Sequence, residues 1–152
     1  YFSDLIGFNK PNQISSAMKM YEKNNIKYDE ISNISFKFEN DYIGYVMQDV
    51  VSSRFQKIMK IQGDEGFLEW HANYNDENDA VIFGKNNAKK EVHLFKKTRQ
   101  DDFINEIIHI EGLINQNVEN NIISFNRALY VMKVIFAAYK SNNESKTVTI
   151  KN

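Results

Sequence analysis

The spacing of apolar side chains changes period once along this chain, and that change limits the folds open to it. From Gln13 to about Phe95 they recur every second residue, as in a strand with one buried face. From Asp101 onward they recur every three to four, as in an amphipathic helix. In Glu30–Glu39, Ile34, Phe36 and Phe38 alternate with Ser35, Lys37 and Glu39. Asn40-Asp41 then supplies a polar turn and Tyr42–Val51 returns as a β-rich run, which predicts an antiparallel hairpin. Gln13–Tyr21 precedes it, with Ile14, Met18 and Met20 in phase. Arg54–Gln62 and Phe67–Ala72 form a second hairpin around Gly63-Asp64-Glu65-Gly66, and Ala80–Phe83 and Val92–Phe95 read as two shorter strands.

The last third is helical. Asp101–Asn117 places Phe103, Ile107, Ile110 and Ile114 on one stripe, with Asp101 and Asp102 at the end where the helix dipole favours carboxylates. Phe125–Lys140 follows, apolar around most of its circumference, with Ser124 at the N-cap position. Thr147–Ile150 is a short final strand. Strands followed by segregated helices predict an α+β domain over residues 1–152. The expected architecture is a largely antiparallel open sheet of about six strands with two C-terminal helices packed on one face.

Composition closes off several functions. The 19 basic and 20 acidic side chains leave a net charge of −1, which gives no attraction to nucleic acid or to an anionic membrane. With no cysteine there is no disulfide framework, thiolate zinc site or cysteine nucleophile, which suits a cytoplasmic protein. No apolar run approaches the ~18–20 residues of a membrane span. The chain starts at Tyr1, not Met, so we expect a piece of something longer.

Little in the sequence offers chemistry. His71, His93 and His109 are isolated, with none of the i, i+4 spacing that places two metal ligands on one helical face. Gly63-x-x-Gly66 joins two strands, whereas a phosphate cradle needs a strand before it and a helix after it. No G-x-G-x-x-G, Walker or G-x-S-x-G motif is present. Asp49 and Arg54 stand out, because a carboxylate and a guanidinium near neighbouring strand ends can bind the hydroxyls or the carboxylate of a polar substrate. The alternative is an ordinary surface ion pair or solvated turn charges. Ile34, Phe36, Phe38, Tyr45, Met47 and Met59 read as core, yet Tyr42, Val46, Val50 and Ile58 fall on the opposite parity. Helices can cover only one face of a sheet, so the other is expected to pack on a second copy or another domain, weakened by a charge at Val46 or Ile58.

Three stretches together resemble the C-terminal domain of the Gfo/Idh/MocA family of NAD(P)-dependent oxidoreductases. Tyr1-Phe2-Ser3-Asp4-Leu5-Ile6-Gly7 is similar to the helix end that follows the family's H-x-x-D motif. Ile58–Trp70 resembles its I-x-G-x-x-G-x-[IL] hairpin. Asp101-Asp102-Phe103-x-x-Glu106, Ala137-Ala138-Tyr139-Lys140-Ser141 and Val148-Thr149-Ile150 resemble its two-helix ending with an A-x-x-x-S close and a last short strand. The resemblance implies a two-domain parent enzyme whose Rossmann half, absent from this chain, binds NAD or NADP. Its catalytic Asp and His would lie just before Tyr1, so the resemblance assigns no catalytic residue to this chain. The chain would hold a sugar, polyol or nucleotide-sugar and form a homo-oligomer through its open sheet face, and alone it would bind no cofactor and be inactive. The alternative is a non-enzymatic α+β interaction module that dimerises through its sheet.

Overall fold

The structure, a computed structural model, describes residues 10–86, 88–116 and 123–150. The Tyr1–Gly7 stretch of the resemblance lies outside the described residues. In chain order come β1 (Pro11–Lys23), β2 (Ile26–Phe38), β3 (Ile43–Asp49), β4 (Lys57–Gln62), β5 (Gly66–Ala72), β6 (Asn78–Lys85) and β7 (Glu91–Lys96). Helix α1 (Arg99–Gln116), helix α2 (Phe125–Glu144) and β8 (Val148–Thr149) complete the order. The α+β class, the antiparallel pairing and both helices are as the sequence predicts. In place of one sheet of about six strands there are two four-stranded sheets, A in the order β3-β2-β1-β8 and B in the order β4-β5-β6-β7. Each belongs to its own compact unit, the first drawn from Tyr1–Ser52 and Glu119–Asn152, the second from Ser53–Val118.

In the first unit, β1 and β2 form a long hairpin closed by Asn24-Asn25, with Lys23 paired to Ile26. Both asparagines have positive φ, 53° and 64°. A two-residue turn with both residues left-handed matches the right-handed twist of the strands, and asparagine tolerates that conformation. The strands therefore run further than the apolar alternation suggests. Tyr21 and Tyr28, with ring centroids 5.5 Å apart, make a cross-strand aromatic pair near the tip.

Helix α2 packs on sheet A. Ile14, Ala137 and Ala138 are buried there, with Met18, Ile34, Phe36, Val134, Val148 and Ile150 packed around them. Strand β8 pairs with β1 only at Gln13 and Ile14. Beyond it α2 satisfies the edge of β1: Ser16 N–H donates to Ser141 Oγ at 3.0 Å and Met18 N–H to Asn142 Oδ1 at 2.8 Å. The Ser16 hydroxyl donates to the Ala138 carbonyl. The alanines before Ser141 give no side-chain bulk to hold the helix away, which is the physical content of the A-x-x-x-S ending. The helix ends at Ser145, in the left-handed region, where Lys146 N–H returns to the Ser141 carbonyl at 3.2 Å. Ser124 takes the N-cap position but its side chain makes no capping bond.

Register corrects one expectation. Phe36 pairs with Gly44 and Ile34 with Val46, whereas Ser35 pairs with Tyr45 and Asn33 with Met47. Directly paired residues share a face, so Val46 lies on the α2 side, while Tyr45 and Met47 lie on the opposite, exposed side. The turn from Phe38 to Tyr42, with Asp41 at φ 62° and Phe38 N–H bonded to the Tyr42 carbonyl, sets this register, and apolar alternation across a turn does not encode it.

In the second unit, the Asp101 carboxylate ties down the start of α1: its Oδ2 accepts from the Thr98 N–H at 2.6 Å and from the Thr98 hydroxyl at 3.1 Å. Its predicted stripe of Phe103, Ile107, Ile110 and Ile114 is exposed. Helical spacing fixes the stripe but not its partner.

Candidate functional site

A hollow of about 810 Å³ lies in the second unit, bordered by β4, the β5–β6 connection and the start of α1. Trp70 shares a sheet face with its partners Met59 and Val81, and Lys57 and Asp79 lie on that same face through the Lys57–Ala72 and Asp79–Phe95 pairs. Asp79 is 6% exposed. Its Oδ1 accepts from the Asn73 N–H at 2.9 Å, and its Oδ2 sits 3.0 Å from Lys97 Nζ. Lys97 Nζ also reaches Asp102 Oδ2 at 3.1 Å and Oδ1 at 3.3 Å. One ammonium thus joins β6 to the first turn of α1. Lys57 Nζ stands 5.4 Å from the Trp70 ring centroid.

Burial pushes the Asp79 carboxyl up, but the Asn73 N–H and the Lys97 ammonium outweigh it, so it ends below the usual carboxylate range. Lys97 is raised, first by its bond to Asp79 and then by Asp102. A carboxyl whose folded pKa is depressed contributes stability that is complete above its unfolded value of about 3.9 and is lost as pH falls through the folded pKa. The second unit should therefore lose stability below about pH 4. Asp79→Asn should flatten that acid limb in denaturant unfolding and cost about 1–3 kcal/mol at neutral pH by weakening a buried charge-assisted bond. An unchanged acid limb would exclude Asp79 as its source.

The two residues singled out in the sequence sit elsewhere. Asp49 closes the turn after β3: its Oδ1 accepts from the Val51 and Ser52 N–H groups at 3.0 and 2.6 Å, and its Oδ2 from the Ser52 hydroxyl at 2.9 Å. The Ser52 N–H, more than the Ser52 hydroxyl, holds its pKa down. Arg54 precedes β4, is exposed, and makes no hydrogen bond or ion pair among the described residues. Asp49 belongs to the first unit and Arg54 to the second.

His71 Nε2 lies 3.1 Å from Glu69 Oε2, His93 stacks on Phe83 at 5.2 Å, and His109 is exposed on α1. Gly63 and Gly66 close the β4–β5 hairpin through a 2.8 Å bond from the Gly63 N–H to the Gly66 carbonyl. A dinucleotide phosphate does not fit there, because no helix N-terminus follows the turn. Asp79 was legible as a signal: it falls in phase with Val81 and Phe83, an acid where the strand pattern asks for an apolar residue.

The whole chain superposes on parts of larger solved structures. An aldose-aldose oxidoreductase from Caulobacter crescentus, complexed with glycerol, matches 98% of this chain with a TM-score of 0.79 at 15% identity, over 44% of its own length. The WlbA dehydrogenase from Bordetella pertussis, in complex with NADH and UDP-GlcNAcA, matches 99% with a TM-score of 0.56 at 8% identity, over 43% of its length. The chain shares its fold with these oxidoreductases. That is the fold the resemblance to the Gfo/Idh/MocA family implies. The chain spans less than half the length of these structures. The super-repressor mutant of Gal80p from Saccharomyces cerevisiae matches 99% of the chain as well, with a TM-score of 0.66 at 13% identity, over 49% of its length. No family profile and no curated protein matches the sequence.

Proposed function

We propose that this chain is the substrate-binding and oligomerisation half of a Gfo/Idh/MocA-type, NAD(P)-dependent oxidoreductase that acts on a sugar, polyol or nucleotide-sugar. The observation that carries this reading is coverage: nearly all of the chain superposes on under half of an aldose-aldose oxidoreductase. The sequence also lacks the glycine-rich loop that a dinucleotide requires. NAD or NADP supplies the hydride chemistry in the parent, and this chain's residues hold and orient the substrate. Catalytic Asp and His residues belong before Tyr1, and the isolated chain is inactive. A cytoplasmic location belongs to the same proposal. Separately, no described helix is long and apolar enough to cross a membrane. It self-associates through the face of sheet A opposite α2. Arg54, an exposed guanidinium with no partner among the described residues, contacts the substrate, and Asp49 fixes the turn that leads to it in sequence.

In the complete protein, Arg54→Ala should raise KM for the sugar about tenfold, the loss of roughly 1.4 kcal/mol, and move the melting temperature by only a few degrees. Asp49→Asn should give a smaller change in the same direction. Unchanged KM and kcat in both variants would return the pair to a turn residue and a solvated charge. A second reading, a non-enzymatic interaction module, draws on the likeness to Gal80p, whose matched form is a super-repressor. Steady turnover of nicotinamide by the complete protein separates the two.

A further inference from the structure

Helix α2 and the strand β8 border an apolar groove of about 420 Å³ in the first unit. Leu129, Met132 and Phe136 form the helix wall and are 45%, 60% and 70% exposed, and Val148 and Ile150 form the strand wall. Ala137, 3% exposed, lies at the base, where its methyl group leaves room that a larger side chain would fill. The charged residues that line the groove are Lys133 and Lys140, both exposed, and no carboxylate joins them. They stand two helical turns apart on α2, roughly 10 Å. Glu144, one turn beyond Lys140, is paired with Lys146 at 2.9 Å, and Lys140 acts on it more weakly. Lysine stems extend an apolar wall while their ammoniums stay in water. The ligand that matches this lining has a hydrocarbon body and a negative head. No arginine and no helix N-terminus lines the groove, which favours a carboxylate over a phosphate as that head.

We propose that this groove binds a medium-chain fatty acid, its hydrocarbon chain along Met132, Phe136, Val148 and Ile150 and its carboxylate against the flanking lysines. The volume falls at the lower end of small-molecule clefts, about 300–1,000 Å³, which limits the occupant to a single chain. The inference needs only α2 and β8 and does not depend on the oxidoreductase reading. Methyl-labelled methionine reads the groove directly, because Met132 lines it while Met47 lies on the opposite face of sheet A and Met59 on sheet B. In an NMR titration of the 152-residue chain, decanoate should shift the Met132 methyl saturably, with a Kd near or below about 1 mM, and leave Met47 and Met59 in place. Decanol and decyltrimethylammonium should bind at least tenfold more weakly. Lys133→Gln combined with Lys140→Gln should bring decanoate to the level of decanol with the melting temperature preserved, since both lysines are exposed. No saturable shift at Met132, an equal shift at Met47, equal affinity for decanol, or an unaffected double variant would each overturn the proposal. A Met132 signal that follows protein concentration and ignores decanoate would overturn it too, and would assign the groove to a second copy. Cosedimentation with phosphatidylglycerol vesicles through the same lysines, without a response to decanoate, would overturn it in favour of a membrane surface.

Discussion

Replacing Gly66 by alanine should lower the melting temperature by roughly 10 °C, the equivalent of about 3 kcal/mol in a chain of this size. Gly66 opens β5 opposite Lys85, where β5 and β6 approach closely. A Cβ there would land against the Gly84 carbonyl oxygen, well inside contact distance, and 3.0 Å from the Lys85 Cα. Both are backbone atoms in a paired strand and cannot swing aside, so the β4–β5 hairpin must shift or the β5–β6 ladder must open. Gly84 is the control. A Cβ there meets the Phe67 ring edge at 3.2 Å, a side chain that can rotate by a few tenths of an ångström. Gly84→Ala should cost less than half as much. Equal losses by calorimetry would mean that the effect lies in the unfolded chain and not in this contact.

The chain should also be a dimer at tens of micromolar, and Met47→Lys should make it a monomer. On the face of sheet A opposite α2, Ile43, Tyr45 and Met47 are 76%, 77% and 72% exposed, and Ile31 adjoins them. An apolar patch of this kind, bordered on the same face by Ser35, Asn33, Lys37 and Asp49, is a candidate interface. A two-fold contact needs roughly 800 Å² per partner to be stable. A lysine at position 47 would place a charge within that contact, which should raise the dissociation constant at least a hundredfold, about 2.7 kcal/mol. Val46→Lys, on the α2 side, should act mainly on folding. Sedimentation distinguishes them: a dimer that survives Met47→Lys and dissociates with Val46→Lys would reverse the assignment of faces.

How much of this was legible depended on which force wrote it into the sequence. Burial writes period: Ile34, Phe36 and Phe38 announced their strand, and Phe125 to Tyr139 announced a helix. Backbone pairing leaves a fainter trace. Residues 22–29 are mostly polar, so the outer half of the β1–β2 hairpin showed only in Asn24-Asn25. The division into two sheets has no local signature, because Arg54 and Phe55 carry on the β-like composition while the regular strand begins at Lys57. The site was the least legible part. Asp49 proved to be a turn-closing acid whose oxygens are taken by Val51 and Ser52. The Asp79–Lys97–Asp102 network joins residues from three places in the sequence, and only the pairing of β6 and β7 and the cap of α1 bring them together. Paired charges distant in sequence carry no period, so they must be read from the fold.

In the proposed function, this chain recognises substrate and leaves the nicotinamide to another half of the protein. Calorimetric titration of NADH and NADPH, into this chain and into the complete product of its gene, tests that most directly. The expected result is binding weaker than about 100 μM for the chain, or less than about 5.5 kcal/mol, and clear binding with reduction of NAD or NADP by the complete protein. Tighter binding by the chain alone, or none by the complete protein, would contradict it.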